Sequence, residues 1–151
     1  MEQGILFPVF DVPATLAEDI KLNAVYNKSP KWDLRKGDFV RNSIGQIEYC
    51  NGYEAWKLWC AKTALTQRKA HISYSDNAGI EMAEAFAEPD REAVKSMFER
   101  TITEALLADP IGRTIQVSNF VFDWETDGLR ISFDVYGANG DSAAIMLNFG
   151  V

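Results

Sequence analysis

The 151-residue sequence lacks several features that would place it in a broad class of proteins. No apolar run approaches the roughly 18 to 20 residues that a bilayer-spanning helix requires. Basic residues are few, 15 against 22 acidic ones, which gives a formal net charge of −7 and a pI near 4.7. Such a chain repels a phosphate backbone rather than attracting it. We therefore expect neither a membrane span nor direct binding to nucleic acid.

Residues for metal or redox chemistry are also scarce. Cys50 and Cys60 lack the spacing of a metal-ligand pair or a CxxC redox pair, and we expect both to be reduced thiols. His71 is the only histidine and has no cysteine nearby, so we expect a structural or surface position for it. The sequence contains no Gly-rich phosphate loop, nucleophile elbow or EF-hand. We expect no cofactor, no metal site and no catalytic residue.

The first 31 residues are predicted to form an extended arm. They include apolar residues such as Leu6 and Phe7, but Pro8 interrupts any long element. A signal peptide is not predicted, because Glu2 stands where basic residues are expected and Asp11 cuts the apolar stretch. We expect the product to stay inside the cell that makes it. The arm either covers the domain's own core or reaches a neighbouring subunit.

A change of hydrophobic period marks the middle of the chain. Residues Leu129, Ile131, Phe133 and Val135 are apolar at every second position, which is typical of a strand. Before them, a helical period of apolar residues predicts one face of a long helix: Val94, Met97, Phe98, Ile102, Ala105 and Leu106. This helix should end at or just before Asp109, because Pro110 disfavours the helical conformation there.

The C-terminal region, residues 113–149, is predicted to form a three-stranded antiparallel meander. Asp127-Gly128 and Asn139-Gly140 are typical hairpin turns between its strands. The apolar positions change parity within the first strand, and a β-bulge near Ser118-Asn119 would account for that change.

Further elements are predicted in the first two thirds of the chain. The first is a hairpin between residues 38–40 and 46–49 with Gly45 in its turn. A helix follows Asn51-Gly52 and ends near Arg68, and a strand at 71–74 and a short helix at 80–87 come after it. The long helix starts at 88–90, with Pro89 in its first turn.

These elements predict an α+β fold in a single small domain. Two main helices pack on the C-terminal antiparallel three-stranded meander, preceded by a short N-terminal hairpin and the extended N-terminal arm. The arm spans residues 1–31 and the domain spans residues 32–151.

The last strand has no charged residue after Asp141, and both of its faces are apolar, including Ile145 and Leu147. Exposed strand edges normally carry protection such as charge. Either this strand lies in the middle of the sheet and is covered on both sides, or a partner strand pairs with it.

Glutamates at helical spacing raise an enzymatic alternative. Glu81, Glu84 and Glu88 could place paired carboxylates on one face, as a glycosidase requires. Acidic helix faces are more often only solvated. A peptidoglycan hydrolase that uses Glu81 or Glu84 as general acid is therefore the second hypothesis. A small adaptor that binds a peptide along its sheet edge is the third.

Four groups of short motifs follow one another in an order that carries a family resemblance. They are WDLRKGDF at 32–39, GYEAW at 52–56, HISYS at 71–75 with GIE at 79–81, and Asp109-Pro110 with Asn119-Phe120. In order and spacing they resemble the gene 25-like baseplate wedge family of contractile phage tails, and more narrowly its XkdS-like branch from defective prophages and tailocins.

The resemblance implies a structural protein of the inner wedge ring of a tail baseplate, in a virion or tail-like particle. Its implied partners are baseplate J-like wedge proteins and the tail sheath protein, with tail hub or tube proteins as further candidates, in multiple copies within a six-fold assembly. In this family an acidic residue, Pro and Arg at the end of the long helix contact the wedge. Asp109 and Pro110 match the first two positions, and Arg113 follows two residues late. With Leu6, Phe7, Ile145 and Leu147, these three form the predicted protein interface.

Overall fold

The computed structural model describes residues 28–150. The predicted α+β fold is confirmed. The elements in chain order are β1 (Ser29–Pro30), β2 (Trp32–Asp33), β3 (Asp38–Phe39), β4 (Tyr49–Cys50), α1 (Gly52–Ala64), α2 (Met82–Phe86), α3 (Arg91–Leu107), β5 (Thr114–Glu125), β6 (Gly128–Gly137) and β7 (Ser142–Gly150).

The main sheet is antiparallel, with strand order β5-β6-β7, as the predicted meander requires. The β-bulge is also confirmed, since the register jumps from Ser118 opposite Asp134 to Val121 opposite Ser132. Asn119 within this bulge has a φ of 57°. The extra residue moves the aromatic side chains of the second half of β5 to the inner face.

The core lies between this sheet and two helices. Helix α3 packs against β5, and α1 packs against β7 and α3. The largest side chains of the core that are fully buried are Trp56, Phe98, Phe133, Ile80, Ile102, Leu106, Leu129 and Ile131. Burying such side chains contributes roughly 1.5 to 3 kcal/mol each, which makes this layer the main stabilising feature.

The long helix begins as its sequence requires, with one correction. The Asp90 carboxylate accepts a hydrogen bond of 2.9 Å from the backbone N–H of Ala93 and caps the helix. Pro89 therefore precedes the cap and does not occupy the first turn. The helix ends before Asp109-Pro110, as predicted.

The region between α1 and α2 differs from the prediction. Helix α1 ends at Ala64 rather than near Arg68, because the backbone of Thr66 and Arg68 bonds instead to Ile80. The Ile80 N–H donates to the Thr66 carbonyl over 2.8 Å, and the Arg68 N–H donates to the Ile80 carbonyl over 2.7 Å. These two bonds form the neck of a loop at residues 66–80.

Residues 71–74, predicted as a strand, are turns within this loop. The Tyr74 N–H donates to the His71 carbonyl over 3.2 Å, and the Ile72 side chain is fully exposed. The prediction was wrong because no strand within residues 28–150 pairs with this segment. His71 is at the surface, as expected.

The N-terminal hairpin is confirmed around its turn, whereas the outer residues of its two predicted strands, at 38–39 and 49, pair with β2 and β1 instead. Arg41 and Ile47 form a bridge, the Glu48 N–H donates to the Val40 carbonyl over 2.9 Å, and Gly45 adopts a φ of 82° in the turn. Ser29 and Pro30, assigned to the arm by prediction, pair with β4.

Candidate functional site

The corner between α3 and β5 is built around one buried carboxylate. Arg113 Nε lies 2.7 Å from Asp109 Oδ2, and its Nη2 lies 3.2 Å from Oδ1. The backbone N–H groups of Ile111 and Arg113 also donate to this carboxylate, over 3.2 and 3.1 Å. Both side chains are buried. Four hydrogen bonds on one carboxylate fix the path of the intervening loop.

This arrangement divides the predicted interface residues at the corner into two kinds. Asp109 and Arg113 face inward, and the Arg113 guanidinium lies 4.9 Å over the Trp59 ring. Pro110 is exposed at the surface, and Ile111, which sequence reasoning missed, is 42% exposed. The buried pair therefore supports the loop, and Pro110 and Ile111 face outward.

Among the described residues the last strand lies at an edge of the sheet, which contradicts the first of the two alternatives, a central position. The side chains of Ile145 and Leu147 point into the core. On the opposite face, Met146 is 65% exposed, so no described residue covers the strand there. Within residues 28–150, β7 pairs with β6 alone.

Two hydrogen bonds reveal which backbone groups of β7 face its free edge. The Gly137 N–H donates to the Asp141 carbonyl over 2.7 Å, so Asp141 points toward β6. The Tyr53 hydroxyl donates to the Ser142 carbonyl over 2.8 Å, from helix α1 on the other side. Backbone direction alternates along a strand. The N–H and C=O groups of Ala144, Met146 and Asn148 therefore point to the free edge.

A groove runs beside this free edge, and we call it the β7 groove. It has a volume of about 240 Å³. The residues that line it are Leu34, Glu54, Lys57, Leu58, Ala61, Ala144, Ile145 and Met146. Sequence reasoning identified the uncharged strand but not the groove, because its α1 wall comes from residues about 90 positions earlier in the chain.

A second apolar depression lies between α1, the 66–80 loop and the end of α3, and we call it the Tyr74 groove. It consists of two adjoining parts of about 250 and 210 Å³ that share Trp59, Thr63, Tyr74 and Ala78. Ser29 lines the first part, and Pro110 lines the second. The predicted interface residues Leu6 and Phe7 lie outside the described residues.

The glutamates of the hydrolase hypothesis are tied into local bonds. Glu81 forms ion pairs with Arg68 and Arg100, at 3.3 and 3.1 Å. Hydrogen bonds from its own backbone N–H and from the Gln67 side-chain amide lower the pKa of Glu84. A general acid requires a raised pKa, so the lowered pKa of Glu84 does not suit that role.

The remaining chemistry-bearing groups do not gather into a site. Cys50 and Cys60 are free thiols, and burial raises the pKa of Cys60 to about 12. Within residues 28–150, no three His, Cys, Asp or Glu side chains converge as metal ligands would. None of the helices in that part of the chain has the length and apolar character that crossing a bilayer requires.

Comparison with known families gives a match. A family model described as Sheath_initiator, contractile injection system sheath initiator, matches residues 28–140, which is well over half of the chain. The comparison with curated proteins gives no match.

Proposed function

The chain belongs to the contractile injection system sheath initiator family, and from this premise we propose that it docks the first sheath ring through the free edge of β7. The family is a structural one, associated with the baseplate of contractile particles. The finer proposal is a place in the inner wedge ring, as in the gene 25-like, XkdS-like proteins that its motifs resemble. A phage tail and a tail-like bacteriocin particle both provide such a ring.

The observation that carries the proposal is the unpaired edge of β7. The backbone groups of Ala144, Met146 and Asn148 face away from β6, and no described strand pairs with them. This edge carries no charged side chain between Ser142 and Gly150. Proteins that avoid strand addition protect such edges with charge or proline. An unprotected edge favours a partner that adds a strand by main-chain hydrogen bonds.

Two neighbouring features would define how that strand is added. The Tyr53 hydroxyl already occupies the Ser142 carbonyl, so pairing would begin at Ala144. One face of the added strand would lie over the β7 groove, whose wall includes Leu34, Leu58 and Ala61. A sheath segment with apolar residues at alternate positions therefore fits this edge.

The corner loop is the surface proposed for the wedge. The buried Asp109–Arg113 pair holds Pro110 and Ile111 outward, where baseplate J-like wedge proteins would contact them. Such a chain would be present in a multiple of six copies. Tail hub and tube proteins are further candidate neighbours.

Replacing Met146 by proline tests the docking edge. Its N–H points outward, so proline removes no bond to β6, and edge strands tolerate proline in that orientation. Met146→Ala is the matched control, because it shortens the side chain and keeps the backbone donor. In particles assembled in the producing bacterium, we expect Met146→Pro to reduce the fraction of sheathed baseplates about tenfold or more, since main-chain pairing is blocked. Electron microscopy counts the sheathed particles.

Two results would contradict the proposal at different points. Normal sheath assembly with Met146→Pro, in a variant whose circular dichroism matches the parent, would reject docking at β7. If mass spectrometry finds no unmodified chain in purified baseplates, the baseplate location itself is rejected and a free peptide-binding adaptor is favoured.

The hydrolase hypothesis receives a direct test of its own. The family is structural, and Glu81 and Glu84 are held by basic and amide partners. We expect the purified chain to release no fragments from cell walls. If the parent chain lyses cell walls and Glu81→Gln or Glu84→Gln abolishes this lysis, the chain is a hydrolase instead.

A further inference from the structure

The Tyr74 groove is an apolar surface with a distinctive position relative to the start of the described chain. Ser29, the second described residue, lines the first part of the groove. The described part of the chain therefore begins beside the groove. The walls include Leu58, Trp59 and Ala78 in the first part, and Ala105 and Ala108 in the second.

The division of the groove suits the side chains of a peptide. Its two adjoining parts have volumes of about 250 and 210 Å³. Each part has room for one large apolar side chain. Two adjoining parts that share Trp59 and Tyr74 suit two such side chains from one continuous segment.

A segment of this composition precedes the described residues. Residues 5–10 read Ile-Leu-Phe-Pro-Val-Phe, with no charge and two phenylalanines. Pro8 disfavours a helix through this stretch, so its side chains are available to an extended binding mode. We propose that residues 5–10 occupy the Tyr74 groove of their own chain. This proposal does not depend on the docking of sheath at β7.

The tether favours the chain's own groove over that of a second copy. Residues 11–28 join the segment to Ser29 and span up to about 60 Å when extended, so length does not limit the approach. A tether of this length gives the segment an effective concentration on the order of millimolar at its own groove, above the concentration of other copies in dilute solution. The charges are also complementary, because the acidic Asp11 directly follows the segment and the basic Lys62 lines the groove.

Photo-crosslinking in the full chain tests the proposal. Phe7 or Phe10 is replaced by p-benzoyl-phenylalanine in an equal mixture of isotopically heavy and light copies. Mass spectrometry then identifies each crosslinked pair of peptides. We expect crosslinks to residues 58–66 and 73–79 within single copies. The same photo-reactive residue at Thr15, outside the apolar segment, is the control and should crosslink the groove several-fold less.

Filling the groove provides the second arm of the experiment. Ala78→Trp should reduce the groove crosslinks about tenfold, by occupying the space that both parts share. Val121→Trp, at an exposed position on β5, is the matched control and should leave them unchanged. Crosslinks that fall elsewhere on the domain, that join heavy to light copies, or that survive Ala78→Trp would each overturn the proposal.

A measurement on the segment itself covers the case in which Ala78→Trp fails to fold. The double substitution Phe7→Asp and Phe10→Asp changes no described residue. We expect it to raise hydroxyl-radical oxidation of Tyr74 at least about twofold, while oxidation of Met146 stays constant as the internal reference. Equal oxidation of Tyr74 in the parent and the double variant would reject occupation of the groove.

Discussion

The guanidinium of Arg113 lies against the carboxylate of Asp109, with Nε 2.7 Å from Oδ2, although a proline and a glycine stand between the two residues. Pro110 stops the helix and Gly112 adopts a φ of 72°, so the chain reverses and returns the arginine to the carboxylate. The same carboxylate also binds two backbone N–H groups of the loop. The corner therefore depends on one ion pair.

Removing the arginine should strongly destabilise the protein. Arg113→Met keeps much of the packing against Trp59 but leaves the buried Asp109 carboxylate without its cation, and such a loss costs about 3 to 5 kcal/mol. Urea unfolding measures the free energy. Lys95→Met removes an exposed partner of Glu92 and is the control, with an expected loss of about 0.5 kcal/mol or less. Similar losses for the two variants would contradict this account of the corner.

The β-bulge in β5 predicts an unusual order of stability at one position. Asn119 has a φ of 57°, and its side-chain amide donates to Asp134 over 2.8 Å. Asn119→Ala and Asn119→Gly both remove that hydrogen bond, so their difference isolates the backbone conformation. We expect the glycine variant to be more stable than the alanine variant by about 1 kcal/mol. Thermal or urea unfolding that places alanine at or above glycine would show that the bulge relaxes.

The two cysteines should differ sharply in reactivity. Burial raises the pKa of Cys60 to about 12, so at pH 8 only about one thiol in ten thousand is the reactive thiolate, whereas Cys50 is partly exposed. Intact-mass measurement after iodoacetamide treatment at pH 8 should show one adduct on the folded chain, at Cys50. In urea it should show two. Two adducts on the folded chain would mean that α1 opens readily.

The same pKa predicts how stability depends on alkaline pH. The Cys60 pKa rises from the ordinary value of 9.0 to about 12 in the folded chain, so above pH 9 the unfolded chain binds fewer protons than the folded one. The contribution of the neutral thiol is complete below pH 9 and is lost as pH rises toward 12. Cys60→Ala should therefore lose less stability than the parent between pH 9 and pH 10.5, measured by urea unfolding. Parallel curves for the two proteins would contradict this.

The parts of the fold that the sequence predicts best are those with a long, regular pattern. Several turns of apolar residues identify α3, and turns rich in Asn, Asp and Gly identify the meander. Four alternating residues at 71–74 were not enough, because whether a short alternating segment forms a strand depends on whether another strand lies beside it. That information is held in the tertiary structure.

The site was predictable only in part, for the same physical reason. The absence of charge near Ile145 and Leu147 was visible in the sequence, but burial explains it only for the inward-facing half of the strand. The exposed face and the free edge follow from the order of the strands. The groove walls and the contact between Arg113 and Trp59 join distant segments, so no local pattern indicates them.

The neck of the 66–80 loop has a consequence for how this domain can diversify. Its two hydrogen bonds use only main-chain atoms of Thr66, Arg68 and Ile80, so exchange of side chains at the tip leaves the closure intact. Gly79 is the exception, because a β-carbon there would collide with the Thr66 carbonyl. Evolution, or an engineer who grafts an epitope, can therefore rewrite the exposed residues 70–72 while the scaffold beneath keeps its stability.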